Sequence, residues 1–419
     1  MRILLLTHYY EPEVGAPQQR WGALVDHFVA AGHSVSVVAP APHYPTGALL
    51  PGAEAMRPGR AHDGLHGERV HRVAFSPYAA GVGSRARDQA VAAADMVRTG
   101  SRVFRRHPPD VVVATVPSIP TLAAGAVLAR RLRAPLVTEM RDAWPDLLAV
   151  AEDWDATAGR PGRSRPGSRL RPPVVRLTTV ATTLLQRRSA AVVATTESFA
   201  SALRTRGVHD VVVVRNGARP LPAATTAGPR PADGTLRVLY LGTVGRAQGL
   251  ATAVRAAGVA RRAGTAVVLR VVGDGAERDA LRTLARAEGA PVEFVDPVPR
   301  DRVAEHYAWA DTVLVSLRPW PALSLTVPSK LYEALSLGIH VSASLSGEAA
   351  ELVTSTGGGD VAGAGDPAAL ALVWQRLAQD PARLRVGPGG TAWVAEHACD
   401  ERLGARYLAL LERVVAGRG

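Results

Sequence analysis

Short apolar runs separated by amphipathic stretches organise the first half of the chain. Residues 3–7 form a continuous apolar run and read as a strand. A polar loop, His8 to Gly15, follows. A helix is predicted from about Gln18, because Trp21, Leu24, Val25 and Phe28 fall at i, i+3, i+4 and i+7. Gly32 stops it, and residues 34–39 form the next strand. Residues 111–115, 136–138, 191–195 and 211–214 are further apolar strands, with helical stretches between some of them. Val, Ile and Leu runs without alternation belong in strands covered on both faces, so the pattern predicts a parallel, doubly wound sheet.

Between Gly217 and Gly234 the pattern stops, and Pro220, Pro222, Pro229 and Pro231 mark a linker. The alternation then restarts. Strands are expected at 237–241, 266–272, 292–295, 312–315 and 340–343, and helices at 250–263 and 276–288. The expected organisation is a first Rossmann-like domain over 1–218, a linker over 219–234 and a second such domain over 235–399. A helix over 400–419 would pack back on the first. Two such halves suggest a ligand near the C-terminal ends of the strands.

Composition narrows the class. With 419 residues, 47% hydrophobic, the chain has material for two cores and is not collagen-like, coiled-coil or disordered. Cys399 is the only cysteine, which excludes an intrachain disulfide framework and a zinc finger and suits a reducing cytosol. The run 111–129, free of charged residues and of histidine, has Pro117, Ser118, Pro120 and Thr121 in its middle. It reads as strand, turn and helix start, not as a membrane span. The N-terminus turns polar too soon for a signal peptide.

The net charge of +12 is uneven: residues 1–220 carry 28 basic and 17 acidic groups. Arg160, Arg163, Arg165, Arg169, Arg171 and Arg176 form one acid-free stretch. Arg102, Arg105, Arg106 and Arg130, Arg131, Arg133 form two more clusters. Each is a solvated surface or a contact with an anionic membrane. Nucleic acid is disfavoured, since the clusters lack interleaved aromatics. No amphipathic helix with large apolar residues opposite arginines stands out, so membrane attachment would be electrostatic and salt-sensitive.

Candidate chemistry concentrates after the strands of the second half. Gly242-Thr243-Val244-Gly245-Arg246-Ala247-Gln248-Gly249 is a Gly-rich turn entering a helix, where backbone N–H groups and Arg246 could meet a phosphate. Gly273-Asp274-Gly275 is a turn in which Asp274 either caps a helix or touches a ligand. Asp296-Pro297-Val298-Pro299-Arg300 could read a planar base through its exposed backbone. In Pro328-Ser329-Lys330-Leu331-Tyr332-Glu333, Ser329 is a good N-cap, and Lys330, the only lysine, sits in the first turn. A cation is disfavoured there unless an anion joins it. Lys330 and Glu333 could also be a plain surface i,i+3 pair. In the first half, Arg141 and Asp142 follow a strand. Asp142 could orient a hydroxyl, or an Arg141–Asp142 or Glu139–Arg141 pair could hold the loop. Asp153-Trp154-Asp155 has a metal-binding pattern but lies in a polar loop and reads as surface.

These segments, in this order, resemble the family-4 retaining glycosyltransferases of the GT-B fold over essentially the whole chain, closest to bacterial surface-polysaccharide members similar to N-acetyl-fucosamine transferases. The loops His8-Tyr9-Tyr10-Glu11-Pro12 through Gly15 and His43-Tyr44-Pro45-Thr46-Gly47 resemble the family's first two loops. Glu139 to Pro145 resembles the subgroup's acceptor-side motif, and Asn216-Gly217 the end of the first domain. The resemblance implies an acceptor side holding His8, Gly15 and His43. It implies a donor side holding Gly242, Gln248, Gly249, Gly273, Asp274, Gly275, Val298, Ser329, Leu331 and Glu333, with Glu333 on a ribose. Catalysis would rest on Arg246, Lys330, Arg141 and Asp142, with no metal or other cofactor. Two positions depart from the pattern: Leu325 stands where the family often has a glutamate for the donor sugar, and Gln248 where it commonly has a basic residue. The implied partners are a nucleotide-sugar donor, a saccharide or lipid-linked acceptor and the anionic inner membrane face, at a cytoplasmic location. Two other readings stay open: a sugar-nucleotide 2-epimerase, which would act without an acceptor, and a non-catalytic scaffold, which would release no nucleoside diphosphate.

Overall fold

The computed structural model describes residues 1–78, 82–148, 150, 172–218 and 234–417. The acidic triplet at 153–155, the arginines at 160–171 and the linker prolines lie outside the described residues. The chain divides into two compact units: 1–145, 173–216 and 400–419 form one, and 146–172 with 217–399 form the other.

The first unit runs β1 (Arg2–Leu6), α1 (Ala16–Ala30), β2 (Ser34–Pro40), β3 (Ala61–Asp63), β4 (Arg69–Val73), α2 (Val82–Val103), β5 (Val111–Thr115), α3 (Ile119–Leu132) and β6 (Leu136–Met140). It continues with α4 (Pro172–Arg188), β7 (Ala191–Ala194), α5 (Glu197–Thr205) and β8 (Val211–Val213). The strand order is β3-β4-β2-β1-β5-β6-β7-β8, parallel except for the β3–β4 pair. Every residue of β5 and β6 is buried, as expected of strands covered on both faces. The strand expected to end at 138 continues to Met140, because Thr115 and Glu139 pair in register across β5 and β6. The run 111–129 divides into β5 and α3, whose N-cap Ser118 accepts from the Thr121 N–H.

The second unit runs β9 (Leu236–Leu241), α6 (Leu250–Arg262), β10 (Val267–Val272), α7 (Arg278–Glu288), β11 (Val292–Val295), α8 (Arg300–Trp309), β12 (Thr312–Ser316) and α9 (Ser329–Ser336). Then come β13 (Val341–Leu345), α10 (Glu348–Ser355), β14 (Gly359–Gly363), α11 (Pro367–Gln379) and α12 (Gly389–His397). Its six strands are all parallel, in the order β11-β10-β9-β12-β13-β14. The order reverses at β9 and β12, the switch point where ligands of such sheets sit.

The last helix, α13 (Asp400–Ala416), belongs to the first unit. Tyr407 packs edge-on against Trp21 and Phe28 of α1, with ring centroids 5.8 and 5.7 Å apart. A side chain at Gly404 would meet the His27 ring at 2.5 Å, so this helix pair needs a glycine to approach so closely. Among the described residues no helix is long and apolar enough to cross a membrane.

One helix departs from the expected pattern. On α4 the outward residues are apolar: Val174, Leu177, Val180 and Leu184 are 47, 70, 58 and 43% exposed. The buried ones, Thr182 and Gln186, are polar. Arg176, Arg187 and Arg188 are exposed on the same side, so α4 is not a helix with apolar residues opposite its arginines. Without the burial pattern, its Val/Leu positions read as an ordinary core face.

Candidate functional site

In the second unit the site forms around the ends of β9, β10 and β12. The chain leaves β9 through Gly242 with φ 137° and leaves β10 through Gly273 with φ 135°. A Cβ at Gly273 would lie 2.1 Å from the Gly242 carbonyl oxygen, and one at Gly275 2.4 Å from that of Val244. These glycines let two turns of the protein pack on each other. The N–H of Gly242 bonds to Val272 O, that of Gly273 to Val295 O and that of Val244 to Asp274 O. Those three donors are therefore used internally and do not face a phosphate. Asp274 is not a cap either: α7 starts at Arg278 after Glu277, and the Asp274 side chain lies 3.9 Å from the Arg278 guanidinium.

Lys330 is the second residue of α9. Its Nζ donates to Tyr240 Oη at 2.6 Å, and Tyr240 donates on to Thr243 O at 2.6 Å. The amine also lies 3.9 Å from the Tyr240 ring centroid and beside Gly242, where a Cβ would meet it at 3.1 Å. Burial pulls the Lys330 amine down to about 7, only partly opposed by Glu333. Burial likewise raises the Tyr240 phenol above its ordinary range. Lys330 is thus a half-buried cation held at the switch point, rather than a surface charge. Glu333 accepts from Tyr307 Oη at 3.0 Å, so the two side chains reach different tyrosines.

Other expected residues fall as follows. Ser329 is not the cap: Pro328 holds that position, no side chain caps the helix, and Ser329 is its first residue. Leu331 is fully buried in the core and its N–H bonds to Pro328 O, so neither its side chain nor its amide is open to a ligand. Arg246 and Gln248 occupy a short 3-10 turn closed by Gly249 at φ 60°. The Arg246 Nε is buried with no hydrogen-bond partner among the described residues. Val298 packs against the core of the unit, and Leu325 ends another 3-10 turn. Two unforeseen residues brace the site. Arg318, two residues past β12, donates to the fully buried Glu277 at 2.7 Å, and its N–H bonds to Ala247 O. This ties the three loops together.

In the first unit, His8 and His43 come together on a residue that no motif marked. Asp88 of α2 accepts from His8 Nε2 at 3.0 Å and from His43 Nε2 at 3.1 Å on one oxygen, and from the Ser76 N–H at 2.9 Å on the other. His43 Nδ1 faces the Ala41 carbonyl at 2.8 Å, which assigns protons to both nitrogens of that ring. Burial opposes the His43 charge, yet its bonds to Asp88 and Ala41 raise its pKa above the usual value. Burial pushes Asp88 up, but the two imidazoles and Ser76 pull it well below the carboxylate range. The three ligand-type atoms lie within 4.8 Å of one another, a spacing that also suits a metal ion. Glu13 accepts from the N–H groups of His43 and Tyr44 at 2.8 and 2.9 Å, fixing the second loop to the first. Gly15 is the extended N-cap of α1, and a side chain there would meet Gln18 Oε1 at 2.7 Å.

Glu139 does not pair with Arg141. Its carboxylate receives Arg20 at 3.2 and 3.4 Å and Thr115 Oγ1 at 3.2 Å, while Arg20 also reaches the carbonyls of Val214 and Arg215. Arg141 follows β6 as a buried side chain whose Nε has no partner among the described residues. Burial raises the Asp142 carboxyl, and Arg141 only partly opposes this.

Two Rossmann-like sheets follow one another along the chain, and the second carries a cation and glycine turns at its switch point, where ligands of such sheets sit. A family profile described as a glycosyl transferase 4-like domain matches residues 15–217, and one described as glycosyl transferases group 1 matches 235–380. The chain belongs to the group 1, family-4 glycosyltransferases of the GT-B fold. Sucrose-phosphate synthase (tll1590) from Thermosynechococcus elongatus superposes with a TM-score of 0.73 at 17% identity, covering 99% of each chain. Anabaena Alr3699/HepE, solved in complex with UDP-glucose, gives 0.67 at 16% identity over 99% of this chain and 100% of that one. The lipopolysaccharide outer core galactosyltransferase WaaB gives 0.62 at 13% identity over 100% of both. At these identities the likeness shows the fold. No curated protein matches the sequence significantly.

Proposed function

We propose that this glycosyltransferase takes an N-acetylhexosamine or deoxy-aminosugar from a UDP-sugar. It transfers the sugar with retention to a saccharide or lipid-linked acceptor, in cell-surface polysaccharide assembly at the cytoplasmic side of the membrane. The second unit binds the donor and the first the acceptor. The observation that carries this reading is the Lys330 amine beside Gly242 at the switch point, at the N-terminus of α9. A donor diphosphate there would meet Lys330, Arg246 and the helix dipole, which together stabilise the charge that develops as the nucleotide leaves. Glu333, held by Tyr307, is the ribose contact in this reading. Asp142 and Arg141 would position the acceptor hydroxyl, beside the loops of His8, Gly15 and His43. The structure of HepE with UDP-glucose supports a uridine donor by analogy. No step requires a metal.

The test is a thermal-shift screen of sugar nucleotides, followed by measurement of UDP release with and without acceptor and of the product's anomeric configuration by NMR. Acceptor-dependent UDP release with the donor's configuration kept is the expected result. Turnover of the sugar nucleotide alone would favour an epimerase, and absence of any turnover a scaffold.

A further inference from the structure

We propose that His8, His43 and Asp88 form a divalent-cation site, with zinc as the ion that the donor set fits best. The ion is structural in this reading and takes no part in sugar transfer. Two imidazoles and one carboxylate are a donor set of zinc chemistry. All three side chains are buried, at 1, 0 and 1% exposure. Their ligand-type atoms lie within 4.8 Å of one another. Asp88 Oδ2 is the shared centre, 3.0 Å from His8 Nε2 and 3.1 Å from His43 Nε2. Two ligands of one tetrahedral zinc, each about 2.0–2.1 Å from the ion, stand about 3.3 Å apart. Both nitrogen–oxygen spacings are therefore within a few tenths of an ångström of what the ion needs. The two imidazoles would close on each other by at most about 1.5 Å.

The surroundings of the three groups match as well. A zinc-bound histidine donates through its other ring nitrogen to a carbonyl or carboxylate, which aims the bare nitrogen at the metal. His43 Nδ1 faces the Ala41 carbonyl at 2.8 Å, and its Nε2 is the nitrogen turned to Asp88. The second oxygen of Asp88 accepts from the Ser76 N–H at 2.9 Å, so the carboxylate is held too. His8 Nδ1 is buried with no hydrogen-bond partner among the described residues. Moving the His8 proton from Nε2 to Nδ1 therefore breaks no bond except the one that the ion replaces, while His43 Nε2 releases its proton to solvent. Glu13 Oε1, 3.8 Å from His43 Nδ1, adds a second negative charge near the ion. Phe75 stacks on the His43 ring at 4.6 Å, and Tyr9 meets the His8 ring edge-on at 4.8 Å. In that dry setting the attraction between an ion and its ligands is strong. Coordination would lock three segments to one point: the first loop, the second loop and α2.

This inference goes beyond the sugar chemistry and does not need it. The test is calorimetric titration of the full chain, first stripped with a chelator, with zinc chloride and with no nucleotide or acceptor present. One zinc per chain is expected to bind. Zinc at about a hundredfold excess over its Kd should raise the melting temperature by about 5–10 °C. Asp88→Asn and His8→Gln should each weaken binding by more than about a hundredfold, since even the loss of a group that only orients a ligand costs roughly ten- to a hundredfold. His66→Gln, which removes an imidazole beside Glu11 and Asp26, should bind zinc as the wild type does. Should a ligand variant fail to fold, histidine NMR of the wild type decides: two of the 12 imidazoles should respond to zinc and return with chelator. Five results would overturn the proposal. They are no binding at micromolar zinc, several weak ions spread over surface histidines, a ligand variant that binds like the wild type, loss of binding in His66→Gln, and an ion that binds only once UDP is added.

Discussion

The two units hold their buried charges in opposite ways. Around Asp88 the first unit is closed: two imidazoles and an amide supply donors to one carboxylate, and the His43 cation has its counter-ion in contact. Around Lys330 the second unit is open. The amine has a neutral phenol as its hydrogen-bond acceptor, and burial has drawn its pKa to about 7. A charge matched inside the protein holds loops together. A cation bonded to a neutral phenol and only partly offset by Glu333 has room for an anion, and binding one restores its proton. In the proposed reading the same buried-cation chemistry serves as a clamp in one place and as a receptor in the other.

That contrast can be broken by mutation. The largest effect should come from Asp88→Ala, which takes from buried His43 its closest counter-ion and from the Ser76 N–H its acceptor, leaving only Glu13 near the imidazole. A loss of about 3–5 kcal/mol in denaturant unfolding is expected, and an unchanged midpoint would show that the clamp is not structural. Lys330→Ala should do the reverse. Turnover should fall on the order of 10²–10³, while stability changes little because no ion pair with the protein is broken. Near-normal turnover would refute the donor-site assignment.

Tyr240→Phe sharpens the comparison by removing the neutral acceptor. UDP affinity should weaken by about 1–2 kcal/mol as Lys330 and the Thr243 carbonyl lose their shared partner, and calorimetry with UDP would read it. Unchanged affinity would make the tyrosine a packing residue only.

The most gradual effects are those of pH. A bound diphosphate favours protonated Lys330, so UDP affinity should fall as pH rises above about 7, by at most about tenfold per unit. Lys330→Arg stays charged and should flatten this profile. In ligand-free protein the sign differs. The unfolded chain holds the Lys330 proton more tightly, so folding stability should rise with pH from about 7 toward the ordinary lysine value of 10.5, and less so in Lys330→Met. A wild-type melting curve with the same pH slope as that of Lys330→Met would show that burial does not perturb the amine.

The apolar runs made the two successive sheets legible, since a parallel strand covered on both faces leaves little room for polar residues. The strands β3, β4 and β14 escaped because His62, Asp63, Arg69, Arg72, Gly359 and Asp360 interrupt any run. The site was legible where chemistry is rare, as at the only lysine, and where glycines cluster after strands. Tyr240 and Tyr307 were hidden inside stretches that read as core, and Asp88 inside an Ala-rich helix where an acid looks like a solvated face.

By itself the sequence determined the two-part strand–helix alternation, the family pattern and the placing of Lys330 at a helix start, because local periodicity and motif order are written along the chain. Only the tertiary structure decided what each charge is for. It joined Asp88 to loops 80 and 45 positions away in sequence, gave Glu139 to Arg20, and turned the apolar side of α4 outward. Pairing and exposure depend on which distant elements pack together, and no local pattern in the chain carries that information.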